Sequence, residues 1–255
     1  MDSKITNETN SDTQSRRPSL VVATMGTDGG IAKTTSANHL SDFYDEQGIP
    51  IARINCDVEK LQRGSFSSFH KDAINADIRT PAGADIFVDT VLRSPSRIVL
   101  VDMAANLGKF SLGWFDEMYE PMHQAGVQFL FVGVVTSSPG SVQAVLRWAS
   151  VLGPRVRYMI FENAKDGDDF SYLHETPQGK AFLEKAKPPI ISVRKQLLNI
   201  QAELDNRGLT LRQALVATND RRGPILSEMT SKMRIEGRYK EIRFQLMPVK
   251  EILLP

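Results

Sequence analysis

A polar, glycine-containing segment near the start of the chain has the residue types of a phosphate-binding loop. An apolar run at residues 20–25 precedes it and a helical pattern follows it, which is the context that such a loop requires. The first helical turn would carry a lysine and two hydroxyl groups, where unpaired backbone N–H groups and the helix dipole favour a polyphosphate. We therefore predict that the segment binds a nucleoside triphosphate. Its residues are Thr27, Asp28, Gly29, Gly30, Ile31, Ala32, Lys33, Thr34 and Thr35.

Two further groups are placed to hold a divalent cation, which phosphoryl chemistry needs near the phosphates. Thr34 directly follows the phosphate-binding lysine and could ligate Mg²⁺ through its hydroxyl. Asp102 ends a continuous apolar run at residues 97–101, so a buried strand would bring its carboxylate beside the loop. The other interpretation of Asp102 is that it shapes the turn after the strand.

The elements that would position these residues alternate regularly along the chain. Helical patterns follow the loop directly and recur at about residues 83–92, 110–124 and 141–152. Between them lie apolar runs that predict strands at residues 20–25, 49–56, 97–102, 127–135, 156–161 and 188–193. This alternation predicts an α/β fold with a mostly parallel, doubly wound sheet flanked by helices. Residues 59–80 have weak periodicity and are predicted to form a switch-type segment with short helices.

The composition divides the chain into three parts. Residues 1–19 are polar and lack periodic apolar positions, which predicts a disordered tail. Residues 20–193 carry the predicted nucleotide-binding domain. Residues 194–255 are predicted to be helical and to pack on that domain. They hold twelve Lys and Arg against seven Asp and Glu, an excess of five positive charges that allows nonspecific contact with DNA phosphates, although a solvated helical surface would look the same.

Net charge, cysteine content and the length of the apolar runs limit where the protein could act and what it could bind. The net charge of +1 gives no overall attraction to nucleic acid or membrane. The single cysteine, Cys56, fits a reducing compartment and excludes an intramolecular disulfide. No apolar run approaches the roughly 18 residues of a membrane span, so we expect a cytoplasmic protein with no membrane span.

The loop resembles the deviant Walker A loop of the ParA/MinD group of ATPases, whose pattern is Lys-Gly-Gly-x-Gly-Lys-[Ser/Thr]. Two positions depart from that pattern, because Asp28 stands in place of the first lysine and Ala32 in place of the last glycine. In the family the first lysine reaches a partner's phosphates across a nucleotide-sandwich dimer, and an anionic Asp28 would repel them. Another cation must then supply that contact if the dimer forms, and we nominate Lys109.

The resemblance extends to three other residues. Asp57 matches the second acid of the family's Asp-x-Asp, which positions the attacking water, so the resemblance implies that Asp57 acts in hydrolysis and near the metal. The opposing interpretation is that Asp57 caps the next helix. The segment from Asp102 resembles the opening of switch II. Asn163 follows a strand where relatives place a residue that contacts the base, but asparagine is also common in such turns for conformational reasons.

By this resemblance the chain is a divergent ParA/MinD-type member, similar to relatives associated with plasmid stability or conjugation. It implies ATP and Mg²⁺ as cofactors, weak ATPase activity catalysed through Lys33 and Asp57, and an ATP-dependent homodimer. It also implies a nucleotide switch in plasmid or DNA positioning, a nucleoid-associated location and a cargo or adaptor protein encoded with it. Two alternatives stay open: a degenerate nucleotide-binding adaptor without significant ATPase activity, and a small-molecule kinase or ligase.

Overall fold

The computed structural model describes residues 19–26, 30–60, 63–105 and 108–255. Within these residues, seven parallel strands form one sheet in the order β3-β2-β4-β1-β5-β6-β7. The strands are β1 Ser19–Met25, β2 Ile51–Asn55, β3 Ile74–Asn75, β4 Ile98–Asp102, β5 Val127–Val135, β6 Arg157–Asn163 and β7 Ile190–Val193. The predicted α/β fold class, with its mostly parallel and doubly wound sheet, is confirmed.

Eleven helices are seen in the described residues and cover both faces of the sheet. They are α1 Lys33–Glu46, α2 Phe66–Phe69, α3 Pro81–Arg93, α4 Gly108–Gln124, α5 Pro139–Leu152, α6 Ser171–Glu175, α7 Pro177–Ala186, α8 Leu198–Arg207, α9 Leu211–Val216, α10 Asn219–Ser227 and α11 Met229–Leu246. Short 3₁₀ turns lie at residues 58–60, 153–155 and 247–253.

The central strands are apolar throughout because both of their faces are covered. Along β1, Leu20 and Val22 belong to the core under α1 and the C-terminal helices, whereas Val21 and Ala23 belong to the core under α3 and α4. This alternation follows from the two-residue period of a strand. It leaves the polar Thr24 near the carboxyl end of β1, fully buried beside β4.

All six strands expected from the sequence are present, and a seventh was missed. β3 has two residues, Ile74 and Asn75, both largely exposed, so it carries no apolar run to detect. It lies at the sheet edge, inside the segment expected to hold short helices. That segment does contain α2 and a 3₁₀ turn. The predicted disordered tail falls on residues 1–19, of which 1–18 lie outside the described residues and Ser19 begins β1.

The C-terminal region forms hydrogen bonds with α1, the helix that follows the candidate phosphate loop. Asp42 on α1 is fully buried and accepts hydrogen bonds from Thr210 Oγ1 at 2.5 Å and from the Arg212 backbone N–H at 3.0 Å. Tyr44, also on α1, donates to the Leu253 carbonyl at 2.9 Å. These bonds fix the position of α1 from the far end of the chain. Across the described residues, no helix combines the length and apolar character needed to cross a membrane.

Candidate functional site

The described end of the loop between β1 and α1 has a backbone that glycine favours. Gly30 has φ 77°, a left-handed conformation that glycine adopts without steric cost. The helix then begins at Lys33, and its first full turn is marked by the bond from the Ser36 N–H to the Ala32 carbonyl at 3.0 Å. No side chain in the described residues caps α1, as expected of a helix N-terminus that binds an anion. The predictions for Asp28 and Gly29 lie outside the described residues.

Ala32 lies at the cap of α1 with φ 74° and ψ 32°, a left-handed conformation that costs a non-glycine residue about 1 kcal/mol. We expect Ala32→Gly to raise the free energy of unfolding by about 0.5 kcal/mol, because relief of this strain exceeds the added chain entropy. Urea denaturation would measure the change.

The matched control is Ala37→Gly, five residues along the same helix. Ala37 is fully buried in the helix interior, so glycine there should lower the free energy of unfolding by about 1 kcal/mol. A loss of stability in both variants would contradict the strain at Ala32.

Asp102 lies at the centre of a buried hydrogen-bond network. Its Oδ2 accepts from Thr34 Oγ1 at 2.6 Å, and its Oδ1 accepts from Thr24 Oγ1 at 3.0 Å. The carboxyl is 1% exposed, and burial raises its pKa to about 6, although both hydroxyls and the Lys33 charge act in the opposite direction. The structure thus brings together Asp102, Lys33 and Thr34, all selected from the sequence, and adds Thr24.

Thr24 is a site residue that the sequence did not indicate. It pairs directly with Asp102 in the β1–β4 register, which is a contact between residues 78 positions apart. The available signal was the single threonine near the end of the otherwise apolar β1. Its partner is the acid that ends β4, the strand paired with β1. Strand order is needed to interpret that signal, and it could not be read from the local sequence.

Asp57 follows β2 and lines the same cavity as Lys33, Thr34 and Asp102. The neighbouring Asn55, in place of the family's first acid, is fully buried, and its Nδ2 donates to Asn75 Oδ1 at 2.8 Å and to Ser67 Oγ at 3.2 Å. Asn55 therefore ties β2 to β3 and to α2. Asn55 does not line the cavity, whereas the carboxylate-bearing Asp57 does.

The cavity has a volume of about 280 Å³ and opens at the carboxyl ends of β1, β2 and β4. Such a crevice beyond parallel strands is where open α/β sheets bind ligands. Its lining includes Gly30, Ala32, Lys33, Thr34, Thr35, Asp57, Asp102 and Lys165. In the described part of the chain no group of three or more His, Cys, Asp or Glu side chains is arranged to hold a metal by itself.

The donor set fits Mg²⁺ bound together with phosphates. Mg²⁺ prefers oxygen ligands and keeps several waters, so one or two protein oxygens suffice beside a polyphosphate. The Thr34 hydroxyl donates its hydrogen bond to Asp102 and so keeps its lone pairs for a cation, while Asp57 and Asp102 supply carboxylates. The structure does not test these ligand roles, which stay predictions.

Asn163 ends β6 and is almost fully buried at a second cavity that adjoins the first at Thr35. Its Oδ1 accepts from the Lys165 backbone N–H at 3.0 Å, the short-range bond that a conformational role predicts. Contact with a base is not excluded by that bond and stays a prediction. The side chain of Lys109, nominated as a replacement cation, lies outside the described residues.

Comparison with known proteins identifies structures with a similar fold. No protein-family model matches the chain, and no curated protein does. Among solved structures, the MinD cell division protein of Aquifex aeolicus aligns over 90% of this chain and 97% of its own, with 15% identity and a TM-score of 0.50. The MinC:MinD cell division protein complex of the same organism aligns over 90% of this chain and 96% of its own, with 14% identity and a TM-score of 0.49.

Chloroplast FtsY from Physcomitrella patens aligns over 69% of this chain with 14% identity and a TM-score of 0.49. The chain spans 58% of that FtsY chain. The likeness to MinD shows that the chain has the P-loop NTPase fold, a parallel sheet flanked by helices.

Proposed function

We propose that the protein is a nucleoside triphosphate-binding switch that works with Mg²⁺. The observation that carries this proposal is the hydrogen bond of 2.6 Å between Thr34, in the first turn of α1, and the buried Asp102 at the end of β4. Together with Lys33, this pair places a cation, a hydroxyl and a carboxylate around one helix N-terminus. That combination suits a polyphosphate with a bound divalent ion.

The roles follow from the positions of the groups. Lys33 and the N–H groups of α1 would bind phosphate oxygens, Thr34 and Asp102 would hold the cation, and Asp57 would lie beside it. A bound Mg²⁺ would neutralise charge that develops on the phosphates. Asp57, which lines the cavity, would orient the attacking water, which makes weak hydrolysis part of the proposal. These groups would contact the triphosphate and not the base. They therefore do not distinguish ATP from other nucleotides, and ATP stays a prediction from the resemblance.

The cellular role we propose is that of a switch in plasmid or DNA positioning, with a homodimer that depends on the bound triphosphate and a cargo or adaptor protein as partners. The resemblance to ParA/MinD proteins supports this role. The basic C-terminal region supports DNA contact less strongly, because at least five of its twelve cations form ion pairs within the protein. These are Arg194, Arg207, Arg238, Lys240 and Arg243. We also propose that residues 20–193 and 194–255 form one folding unit.

Asp102→Asn tests the metal part of this proposal. In the wild type, removing Mg²⁺ with EDTA should weaken binding of a fluorescent nucleoside triphosphate about tenfold or more. In Asp102→Asn, the affinity should be low with or without Mg²⁺.

The same variant should be more stable than the wild type without ligands, because burial raises the carboxyl pKa from 3.8 to about 6. A raised native-state pKa means that this group costs stability increasingly between pH 4 and 6, and the cost persists at higher pH. The stability of Asp102→Asn relative to the wild type should therefore rise by about 3 kcal/mol between pH 4 and pH 8. Asp85→Asn, an exposed change on α3, should alter neither property. Unchanged Mg²⁺ dependence in Asp102→Asn would contradict the proposed metal site.

A further inference from the structure

A groove of about 840 Å³ lies between α5 and α7, at the amino end of β6. The phosphate cavity opens at the carboxyl ends of its strands, and the two spaces share no lining residue. The volume of this α5–α7 groove falls within the range of roughly 300–1,000 Å³ that is typical of small-molecule sites. The groove is therefore large enough for an organic ligand other than the nucleotide.

The lining of the α5–α7 groove is largely apolar and partly aromatic. Tyr158 on β6 and Phe182 on α7 meet edge to face, with ring centroids 5.5 Å apart. The Tyr158 hydroxyl donates to the Gly153 carbonyl at 2.8 Å, so this ring contributes mainly apolar surface to the groove. Leu146 on α5 and Ile252 in the last 3₁₀ turn add aliphatic side chains. These groups favour a ligand with an apolar, ring-containing body.

The charged residues of the groove are all cations, and no Asp or Glu lines it. The chain as a whole is balanced, with 31 Lys and Arg against 30 Asp and Glu. Three of the cations are exposed and form no ion pair within the described residues, and the fourth, Arg157, donates to the neutral Gln128 at 3.1 Å. Their charge is therefore not neutralised by the protein, and it complements an acid. The three are Arg147, Lys185 and Lys187.

Lys187 has an unusual backbone conformation. It caps the C-terminus of α7 with φ 44° and ψ 49°, the left-handed region in which glycine is the usual residue at a helix end. The helix dipole favours cations at this end, which includes Lys185 in the last turn. Arg147 lies before the last turn of α5, and Arg157 lies on a strand, where the dipole gives no such benefit. The dipole therefore does not account for the whole set of cations.

We propose that the α5–α7 groove binds a small organic acid with an apolar, ring-containing body. The body packs against Tyr158, Phe182 and the aliphatic side chains, and the acidic group lies among the four cations. The Tyr172 hydroxyl accepts from Gln143 Nε2 at 2.7 Å, so it keeps its own proton to donate to the acid. This inference goes beyond the proposed function, because the groove is separate from the phosphate site.

Two fluorescent probes test the proposal: anilinonaphthalene sulfonate, and the neutral phenylnaphthylamine, which has the same rings without the sulfonate. The wild type should bind the sulfonate about tenfold more tightly than the neutral probe, because several cations attract the acid. Arg147→Gln, Lys187→Gly and Gln178→Glu should each weaken sulfonate binding about threefold and leave the neutral probe unchanged. All three positions are exposed in the lining, and glycine suits the left-handed backbone at Lys187, so the midpoint of urea denaturation should not fall.

Two further variants complete the set. Lys180→Gln removes an exposed cation of α7 that does not line the groove, so it is the matched control and should bind both probes like the wild type. Ala181→Trp fills the groove from an exposed position on α7 and should weaken both probes about fivefold, because the apolar body loses contact area.

Several outcomes would overturn the proposal. Equal affinity of the wild type for the two probes would show that the acid is not recognised. Wild-type affinity for the sulfonate in the charge variants or in Ala181→Trp would place the probe elsewhere, and no binding at all would leave the groove without this ligand. Loss of sulfonate binding at high protein concentration, with a dimer in analytical ultracentrifugation, would assign the groove to a second copy of the chain. None of these results bears on triphosphate binding at α1, so the proposed function is tested separately.

Discussion

Lys33→Ala is expected to lower the affinity for a Mg²⁺-bound nucleoside triphosphate about 100-fold, because a buried lysine adds charge-assisted hydrogen bonds to phosphate oxygens worth about 1.5–3 kcal/mol each. Lys33 is largely buried at the first position of α1 and lines the phosphate cavity with Thr34 and Asp102. Water screens its charge weakly there. Isothermal titration calorimetry with the triphosphate would measure the loss.

The control for Lys33→Ala is Lys71→Ala, which removes the same charge from an exposed turn outside the cavity. That variant should bind within about twofold of the wild type, since one distant surface charge is screened by salt. Thermal unfolding of both variants would show that the fold is retained. Wild-type affinity in Lys33→Ala would place the ligand elsewhere and would end the proposal of a phosphate site at α1.

Site residues that are close together in the sequence could be predicted from it, whereas contacts between residues far apart in the sequence could not. A strand, a glycine-containing turn and a helix are contiguous in the chain, so Lys33 and Thr34 were evident from spacing. The Thr24 contact with Asp102 depends on which strand lies beside β1, a property of the whole sheet. His39, Gln196 and Arg238 come from α1, the segment after β7, and α11, so only folding reveals that these residues line one cavity.

The positions at which the chain differs from the ParA/MinD pattern have different consequences. The left-handed φ at Ala32 shows that this position keeps a glycine-like backbone despite its methyl group, so this departure costs stability and removes no donor. Asn55, in place of an acid, keeps a structural role through its bonds to Asn75 and Ser67. The left-handed backbone at Gly30 and Ala32 and the presence of Asp102 favour nucleotide binding, and hydrolysis then depends on Asp57.

Asp57→Ala is expected to reduce triphosphate turnover about 100-fold while changing affinity by only a few fold, because a group that orients water acts mainly on the chemical step. Asp57 is half-buried at the cavity that Lys33 and Thr34 also line. Phosphate release under single-turnover conditions would measure the rate, and titration would measure the affinity. The pair of measurements distinguishes two roles, since a carboxylate that served mainly as a metal ligand would lose Mg²⁺-dependent affinity together with turnover.

Glu59→Ala is the matched control for Asp57→Ala. Glu59 lies two residues further along, is exposed, and pairs with Arg79 instead of facing the cavity. Its removal should leave both turnover and affinity near wild type. Equal turnover in Asp57→Ala and the wild type would remove Asp57 from the hydrolytic role. A wild type that binds the triphosphate tightly and does not hydrolyse it would favour the adaptor, because the phosphate and metal groups would then serve binding alone.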